Sequence, residues 1–425
     1  MRWLLRHSSQ PDSTRDLPQD LSRALDISPL LVDLLWRRGL RDVAEMERFL
    51  SPGLRHMIQP QDWPALGQAA EVLAQGLAQD RTIAVWGDYD VDGVTASALV
   101  AEFLAGLGIQ TTVHLPDRLS DGYGLSVEGV DALADQGVGL LLTVDCGITD
   151  VAAVTRARER GLLVIVSDHH LPGAALPPAH AVLNPRLDPC PCPELAGVGV
   201  AFYLVAALNA LLEHRGAAPR QDVRRHLDLV ALGTLADVAP LTGQNRILTH
   251  NGLALLTQAQ RPGLAVLKER CGFHGGAGLD ASHVLFGLAP RLNAAGRMAS
   301  ADTALDLLLA PDHATAVPLA EQLDAWNTRR RAEEEAILAE ALTQAETQAA
   351  RLGLVLQGEH WHPGVIGIVA SRVVEKCHKP TLLLCHDGER LKGSGRSIPE
   401  LDLHAALAAC QDVLLGFGGH RQAAG

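Results

Sequence analysis

Short apolar runs alternate with helical segments between residues 82 and 170, and this alternation constrains the fold more than any other feature of the sequence. The runs TIAVWG, LLLTV and LVIVS contain almost no polar residues, which indicates strands that are buried on both faces. Helical segments separate them, as in the β-α-β units that form a parallel sheet covered by helices. The sequence therefore predicts an α/β fold.

A chain of 425 residues is too long for a single ordinary core, so we expect more than one domain. A second α/β pattern begins after Gly353, and it follows the segment RRRAEEEAILAEALTQAETQAAR, which has helical charge spacing and no Gly or Pro. We predict two α/β domains with mainly parallel sheets, joined by a long helix and separated by a cleft. The predicted units are a helical N-terminal lead-in (1–80), a first α/β domain (81–317), the connecting helix (318–350) and a second α/β domain (351–425).

The net charge of -13 argues against a protein that coats nucleic acid through a broad basic surface. It is compatible with a local basic groove, and with a carboxylate-rich site whose charge is offset by bound cations. We expect a cytoplasmic protein without a membrane span, because neither a long uncharged apolar segment nor a signal-peptide pattern is found. The seven cysteines are scattered, which favours reduced thiols over a zinc site.

Carboxylates follow the first predicted strand in the segment WGDYDVDG, which contains Asp88, Asp90 and Asp92. Three carboxylates at the carboxyl end of a strand would repel one another unless cations held them, and open α/β sheets bind ligands at this edge. The alternative is an acidic loop that only caps the next helix, with Asp92 as the N-cap. Capping needs one carboxylate, so we favour the cation site.

The same arrangement recurs after two other predicted strands. Asp145 ends one apolar run, and Asp168, His169 and His170 end another. A single histidine in such a place is more often a satisfied loop residue, but several carboxylates and imidazoles on neighbouring strand ends favour a metal site. This ligand set suits Mn²⁺ or Mg²⁺ better than Zn²⁺, and Mn²⁺ tolerates the histidine better than Mg²⁺.

The segments DYDVDG, VDCG and DHH, in this order, resemble the first three motifs of the DHH phosphoesterase superfamily. GTLADVAPL supplies Asp237 in the context of the fourth motif. The later segments RLNAAGRM, WHPGVIGIVASR, GSGRS and GGHRQAAG are more similar to the single-strand-specific bacterial exonucleases of that superfamily than to its other members. The resemblance implies that residues 81–317 are a DHH catalytic domain and that residues 351–425 are an accessory domain of the DHHA1 type, truncated at its C-terminal end.

The resemblance implies two metal sites that share Asp145. One would be formed with Asp90 and Asp88, and the other with Asp92, His169 and Asp237. Trp86 stands where some members have a histidine, so the first site departs from the pattern. His170 would donate a hydrogen bond to the scissile phosphate or assist proton transfer, with a purely structural role as the alternative. The residues that we expect to carry the chemistry are Asp145, His169 and His170.

The second domain would supply contacts to the substrate. Side chains and backbone of the GSGRS segment would bind a terminal phosphate, since guanidinium binds phosphate through two parallel hydrogen bonds. Glycine-rich turns are often only turns, and arginines are often surface ion-pair partners, so each assignment has a structural alternative. The predicted substrate-binding residues are Arg118, Arg297, Arg372, Ser394, Arg396, Ser397, Gly418, Gly419 and His420.

We expect a monomeric 5′ to 3′ exonuclease that acts on single-stranded DNA in repair and recombination, with two divalent ions, Mn²⁺ preferred and Mg²⁺ possible. A single-strand-binding protein or a helicase would be its protein partner. The alternatives are a related phosphodiesterase or phosphatase for short oligonucleotides or small nucleotides, and a catalytically inert nucleic-acid-binding scaffold. The resemblance also implies an oligonucleotide-binding β-barrel after the accessory domain.

Overall fold

The computed structural model describes residues 20–118, 121–187, 189–274, 278–388 and 390–425, so residues 1–19 of the predicted lead-in lie outside the described part. The remainder of the lead-in is helical, as predicted. Its first three helices pack around a small core of their own that contains Val32 and Met46. The helices are α1 (Leu21–Leu25), α2 (Pro29–Arg37), α3 (Val43–Leu50) and α4 (Pro64–Ala78), with 3₁₀ turns at Leu54–His56 and Pro60–Asp62.

The first sheet consists of β1 (Ile83–Gly87), β2 (Thr111–His114), β3 (Leu140–Val144), β4 (Leu163–Ser167) and β5 (Ala181–Leu183). Its strand order is β2-β1-β3-β4-β5, and all neighbouring pairs are parallel. Every residue of β1, β3 and β4 is buried, as their apolar sequences require. The predicted α/β fold is confirmed.

Alternate residues of the central strands pack into two separate cores. Ile83 and Val85 point into a large core, whereas Ala84 and Trp86 point into a smaller one on the opposite face of the sheet. α4, α5 (Val91–Ala105) and α8 (Gly197–His214) contribute to the large core, and α6 (Val127–Asp135) and α7 (Val151–Glu159) to the smaller one.

Further helices extend the large core and lead to the second sheet. α9 packs against α5, and its last residue precedes Asp237. These elements are α9 (Leu227–Ala236), α10 (Gly243–Gln258), α11 (Pro262–Arg270), α12 (Ala281–His283), a π-helical turn (Val284–Leu288), α13 (Ala289–Met298) and α14 (Asp302–Leu308), with a 3₁₀ turn at Val223–His226.

A helix of 35 residues, α15 (His313–Thr347), occupies the region predicted as the connecting helix, and it starts before residue 318 because Asp312 caps it. The second sheet follows with order β6-β7-β8-β9. Only β6 and β7 are parallel, in place of the mainly parallel sheet that we predicted, because the β7–β8 connection is too short for a crossover helix. Its elements are β6 (Leu354–Gly358), α16 (Ile366–Cys377), β7 (Thr381–Asp387), β8 (Arg390–Arg396), α17 (Leu403–Ala408), a 3₁₀ turn (Gln411–Val413) and β9 (Ala423–Ala424).

Among the described residues, α8 is the one helix long and apolar enough to cross a membrane by length and composition. Of this helix, 72% is buried inside the fold, and it supplies side chains to the large core. We therefore interpret α8 as a core helix.

Candidate metal centre and phosphate site

The carboxyl ends of β1, β3 and β4 bring three aspartates to one edge of the first sheet. The three strands are neighbours, and their last residues are paired in register. The residues that follow them are Asp88, Asp145 and Asp168, which are at most 4% exposed. The edge where parallel sheets bind ligands thus carries the acidic groups, as expected from the sequence.

Asp88, Asp90 and Asp145 form a first acidic group, in which one carboxylate oxygen of each residue lies within 4.8 Å of the others. Asp90 also caps α5, because its Oδ1 accepts the N–H groups of Asp92 and Gly93 at 2.9 and 3.1 Å. The alternative in which Asp92 is the N-cap is therefore wrong. Asp90 Oδ2 accepts no hydrogen bond from the described residues, so it can still bind a cation.

Asp92, His169 and Asp237 form a second group, whose ligand atoms also lie within 4.8 Å of one another. The first two N–H groups of α8 donate to the carboxylate of Asp92 at 2.7 and 2.9 Å, which fixes its orientation. His169 Nε2 lies 3.8 Å from Asp92 Oδ2 and 3.1 Å from Asp145 Oδ1. Asp145 is therefore close to both groups, as a shared ligand would be.

Asp145 is held in a conformation that needs an explanation. Its backbone has φ of 63°, a region that non-glycine residues seldom adopt. Its Oδ1 is buried and accepts no hydrogen bond from the described residues, although His169 Nε2 lies 3.1 Å from it. Gly197 gives this oxygen room, since a Cβ there would lie 2.4 Å from it. A buried, unpartnered carboxylate oxygen is costly, and a bound cation would compensate it, so these residues fit a metal centre.

The pKa values of these carboxyls reflect the cost of burying several negative charges close together. Burial, and then the charge of Asp90, raise the pKa of Asp88 to about 8 and that of Asp237 to about 7. Burial and the surrounding aspartates raise the pKa values of Asp92 and Asp145 well above the ordinary range. Without a cation, these carboxyls hold protons near neutral pH, and a divalent cation would displace those protons.

The two histidines of the DHH segment have opposite electrostatic environments. Burial, followed by the charge of His170, lowers the pKa of His169 to about 4, which keeps it neutral and able to bind a metal. Burial also opposes charge on His170, but the hydrogen bond to Asp168 and that carboxylate's charge outweigh it and raise the pKa to about 9. His170 Nδ1 donates to Asp168 Oδ1 at 2.8 Å. Asp168 therefore orients His170.

The sequence interpretation left Asp168 without a role, and the structure supplies one. Its Oδ1 also accepts the backbone N–H groups of His169 and His170, and its Oδ2 accepts that of Ile148. Burial tends to raise its pKa, but the hydrogen bond and the charge of His170, with these N–H groups, lower the pKa below the ordinary value. Asp168 is thus an ionised support behind the site.

Trp86 lies away from the acidic groups. It is 1% exposed, faces the smaller core, and its ring centroid lies 3.9 Å from that of His114. Because side chains alternate along β1, this indole packs beneath the sheet. In this chain the first acidic group therefore consists of carboxylates.

Three of the predicted arginines lie together beside the acidic groups. The guanidinium of Arg118 lies 3.9 Å above the ring of Tyr89, and its Nε has no hydrogen-bond partner among the described residues. Burial, then the charge of Arg118, lower the pKa of Arg297 to about 9 and lower that of Arg396. In the part of the chain that the structure describes, none of the three forms an ion pair with a carboxylate. Such a cluster is suited to an anion.

Two residues of the second sheet complete this cluster. Ser394 and Arg396 are on β8, and the Arg396 guanidinium donates to Ser394 Oγ at 3.3 Å and to the Gly395 carbonyl at 2.8 Å. Arg297 reaches the same place from α13 and donates to the Gly364 carbonyl at 3.3 Å. Residues 393–396 of the GSGRS segment belong to β8, which pairs with β7. We define Arg118, Arg297, Ser394 and Arg396 as the arginine cluster.

Other predicted substrate-binding residues are engaged elsewhere. Arg372 forms an ion pair with Glu334 at 2.7 Å, which favours its structural alternative. The Ser397 hydroxyl donates to the Leu401 carbonyl at 3.0 Å, so we assign Ser397 to that turn. Gly418, Gly419 and His420 form the turn that pairs with the last residues of the chain beside β8, through bonds between residues 418 and 425 and residues 420 and 423.

Sequence reasoning missed two tyrosines. Tyr123 Oη lies 3.1 Å from His170 Nδ1, and its ring packs edge-on against Tyr89, at a centroid distance of 6.4 Å. Because His170 Nδ1 donates its one proton to Asp168, it cannot accept a hydrogen bond from Tyr123, whose own O–H can then donate elsewhere. A tyrosine between two glycines, in GYG, is the one sequence signal that pointed to a shaped loop here.

Two family models match the chain. "DHH family, N-terminal domain" matches residues 82–234, and "DHHA1 domain" matches residues 349–425. The first match contains the acidic strand ends and His170, and the second contains Arg396. Fold, site and family models together define a phosphoesterase of the DHH class.

Curated relatives identify the family within that class. The chain is 43% identical over 436 residues to the single-stranded-DNA-specific exonuclease RecJ of Dickeya dadantii, covering 98% of this chain and 74% of the relative. It is 41% identical over 433 residues to RecJ of Escherichia coli K12, covering 97% and 73%. The chain belongs to the RecJ family.

Solved structures agree with this assignment. The crystal structure of exonuclease RecJ bound to manganese matches with a TM-score of 0.76 and 41% identity, over 85% of this chain and 89% of that one. RecJ of Thermus thermophilus in complex with Mn²⁺ matches with a TM-score of 0.81 and 38% identity, over 96% of this chain and 57% of that one. The same enzyme has also been solved with Mg²⁺.

Proposed function

We propose that the chain removes nucleotides one at a time from the 5′ end of single-stranded DNA, by hydrolysis that depends on two divalent cations. Single-strand specificity is in the names of the RecJ relatives. The polarity, the number of ions, the release of mononucleotides and the role in repair and recombination are our inferences. The observation that carries the proposal is the buried Oδ1 of Asp145, which lies between two acidic groups and accepts no hydrogen bond from the described residues.

The residues that would hold the two cations follow from the two groups. Asp88, Asp90 and Asp145 would hold one, and Asp92, His169, Asp237 and Asp145 the other. When bound, a pair of divalent ions supplies an activated water and stabilises charge on the attacking and leaving oxygens. The neutral imidazole of His169 among oxygen ligands favours Mn²⁺, with Mg²⁺ as a second possibility.

His170 would act on the scissile phosphate. Asp168 keeps its Nδ1 protonated, and the raised pKa keeps Nε2 protonated as well at neutral pH. His170 is 32% exposed in its side chain, unlike the carboxylates behind it, so Nε2 can donate to a phosphate oxygen. Tyr123 Oη lies 3.1 Å from the same Nδ1 and can donate its own O–H to the substrate.

The arginine cluster would bind the 5′-terminal phosphate. Its three arginines carry positive charge that no carboxylate of the described residues pairs with, and Arg297 lies near enough to Asp90 for the charge of Asp90 to act on it. A phosphate held there would place the first phosphodiester at the acidic groups. Polarity then follows, because the cluster recognises a terminal group and the chemistry occurs one nucleotide away.

End-labelled DNA tests this proposal. With Mn²⁺ and a long single strand, a 5′ label should appear at once in mononucleotides, whereas a 3′ label should appear there only late. Duplex DNA of the same sequence should be cut far more slowly. Early release of the 3′ label would overturn the polarity, and faster cleavage of a dinucleotide than of the long strand would favour an enzyme for short oligonucleotides. Monomeric action, cytoplasmic location, and a single-strand-binding protein or helicase as partner stay predictions.

A further inference from the structure

A second cluster of buried charges lies at the ends of α5 and α9 that are remote from the acidic groups. The guanidinium of Arg261, just before α11, lies 2.8 Å from Glu102 Oε2 and 3.2 Å from Asp228 Oδ2. It also donates to the Leu308 carbonyl at the end of α14, at 3.1 Å. The Arg261 side chain is only 9% exposed. One side chain therefore joins the end of α5, the start of α9 and the end of α14.

The same two helices carry ligands of the second acidic group at their other ends. Asp92 is in the first turn of α5, ten residues before Glu102, and Asp237 follows α9, nine residues after Asp228. At 1.5 Å per residue, these separations are about 15 and about 14 Å. α5 and α9 are thus antiparallel, with Asp92 and Asp237 at one end and the Arg261 contacts at the other.

We propose that Arg261 is a positioning residue, which fixes how α5 and α9 are placed along their axes and so sets the spacing of Asp92 and Asp237. This inference rests on the proposed function, in that these two residues are taken as ligands of one cation. Arg261 touches neither the substrate nor the reacting atoms.

Asp237 is the ligand that needs such support. Asp92 is held by two N–H groups at the start of α8, but the Asp237 carboxylate accepts no hydrogen bond from the residues that the structure describes. Its place depends on the backbone of α9. At the ligand end, α9 approaches α5 through Gly233, where a Cβ would lie 2.3 Å from Thr95 Oγ1. Gly233 has no side chain that could hold α9 to α5 at this end, whereas Arg261 contacts residues of both helices at the other end.

The remote cluster is built to hold its position. His226, which is fully buried, lies with Nδ1 3.3 Å from Glu102 Oε2, and Arg225 lies 3.3 Å from His226 Nε2. Glu102 is therefore held from two sides. Removing Arg261 would leave the buried Asp228 carboxylate without its cationic partner and the partly exposed Glu102 with His226 alone, so the two helix ends would lose the side chain that joins them.

Three variants of the full chain test the role, with Mn²⁺ binding followed by the electron paramagnetic resonance signal of the free ion. Arg261→Met should raise the dissociation constant of one of two Mn²⁺ ions roughly tenfold, at the low end of what outer-shell changes cost. Arg261→Lys should recover part of this loss. The triple variant E102Q/D228N/R261M, which leaves no uncompensated charge, should fold and should still bind that ion more weakly.

Two controls separate positioning from stability. Leu267→Ala removes a fully buried side chain from α11, so it should lower stability and leave Mn²⁺ affinity unchanged. In an Asp237→Ala background, Arg261→Met should have no further effect on Mn²⁺ binding, because the residue that it positions is gone.

Unchanged Mn²⁺ binding in Arg261→Met and in the triple variant would overturn the positioning role, as would an equal loss in Leu267→Ala. Failure of the unaltered chain to bind Mn²⁺ would instead overturn the proposed function, and the positioning role with it.

Discussion

The two ends of the α5–α9 pair hold buried charges in opposite arrangements. At the remote end, Glu102 and Asp228 are paired with Arg261. Burial works to raise the pKa of Glu102, but its contact with His226, 3.3 Å away, and the charge of Arg261 outweigh it and lower the pKa to about 2. At the ligand end, carboxylates face one another, and burial with mutual repulsion raises their pKa values. Buried charge of one sign is tolerated where a ligand compensates it, so the unbalanced end marks the site.

The arginine cluster is also an excess of unpaired charge, but its charge is positive where that of the acidic groups is negative. Arg297 is buried near Arg118 and Arg396, and its pKa is lowered to about 9. A protein does not gather unpaired guanidinium groups for stability alone. An excess of negative charge beside an excess of positive charge is what a phosphodiester with bound cations would balance.

Removing the shared carboxylate should have the largest effect. Asp145→Ala should lower the rate of cleavage at least about 10³-fold, which corresponds to about 4 kcal/mol, because both cations lose a ligand. The measurement is the initial rate on a 5′-labelled single strand with excess Mn²⁺. Asp222→Ala, which removes an exposed ion pair with Arg224, is the matched control and should keep full activity. Near-normal cleavage by Asp145→Ala would contradict the metal assignment.

Truncating the arginine cluster should have a smaller and more selective effect. Arg396→Ala should lower the preference for a 5′-phosphate over a 5′-hydroxyl roughly tenfold or more, the value of a charged hydrogen bond. The ratio of the two rates is the measurement, so a general loss of activity does not affect it. Arg372→Ala, whose partner is Glu334, should leave the ratio unchanged. An unchanged ratio in Arg396→Ala would remove this residue from phosphate recognition.

Neutralising one carboxylate at each end should change stability in opposite directions. In the metal-free protein at pH 8.5, Asp145→Asn removes a carboxyl that opposes the ionisation of the neighbouring aspartates, and it should raise Tm by several degrees. Asp228→Asn deprives the buried Arg261 of a charged partner and should lower it. Thermal unfolding without metal, in chelator, makes the comparison. If both substitutions shifted Tm in the same direction, the two ends of the α5–α9 pair would not differ in charge balance as described.

The pH dependence of Tm in the metal-free protein should show the effect of the unpaired carboxylates, with a smaller change than the substitutions cause. A carboxyl with a raised folded pKa contributes stability that is complete at low pH and is lost as pH rises through that pKa. With Asp237 near 7 and Asp88 near 8, Tm should fall between pH 6 and pH 9. Mn²⁺ should stabilise the protein more at pH 8.5 than at pH 6, since fewer protons must leave. A Tm that rises over this range without metal would contradict the raised values.

The sequence was sufficient to predict which edge of the first sheet carries the acidic groups, because short-range rules govern it. Apolar strands end at Gly87, Val144 and Ser167, and parallel strands place the residues that follow them at one edge. Asp237 and Arg396 were predicted as site residues from the family resemblance, because no local sequence pattern places them near that edge.

Other features depend on contacts that a single sequence does not reveal. The N-cap is Asp90 rather than Asp92, which only the path of the loop decides. GSGRS is a strand because β7 pairs with it, despite its glycines. Tyr123 contacts His170, which lies 47 residues further along the chain. Arg261 contacts Glu102 and Asp228, which precede it by 159 and 33 residues.

Anomalous X-ray diffraction from crystals soaked in Mn²⁺ tests the central claim most directly, since it locates each ion without reference to activity. We predict two peaks, roughly 3.5 to 4 Å apart, with Asp145 between them, Asp88 and Asp90 beside one, and Asp92, His169 and Asp237 beside the other. A single peak, or peaks remote from Asp145, would contradict the account.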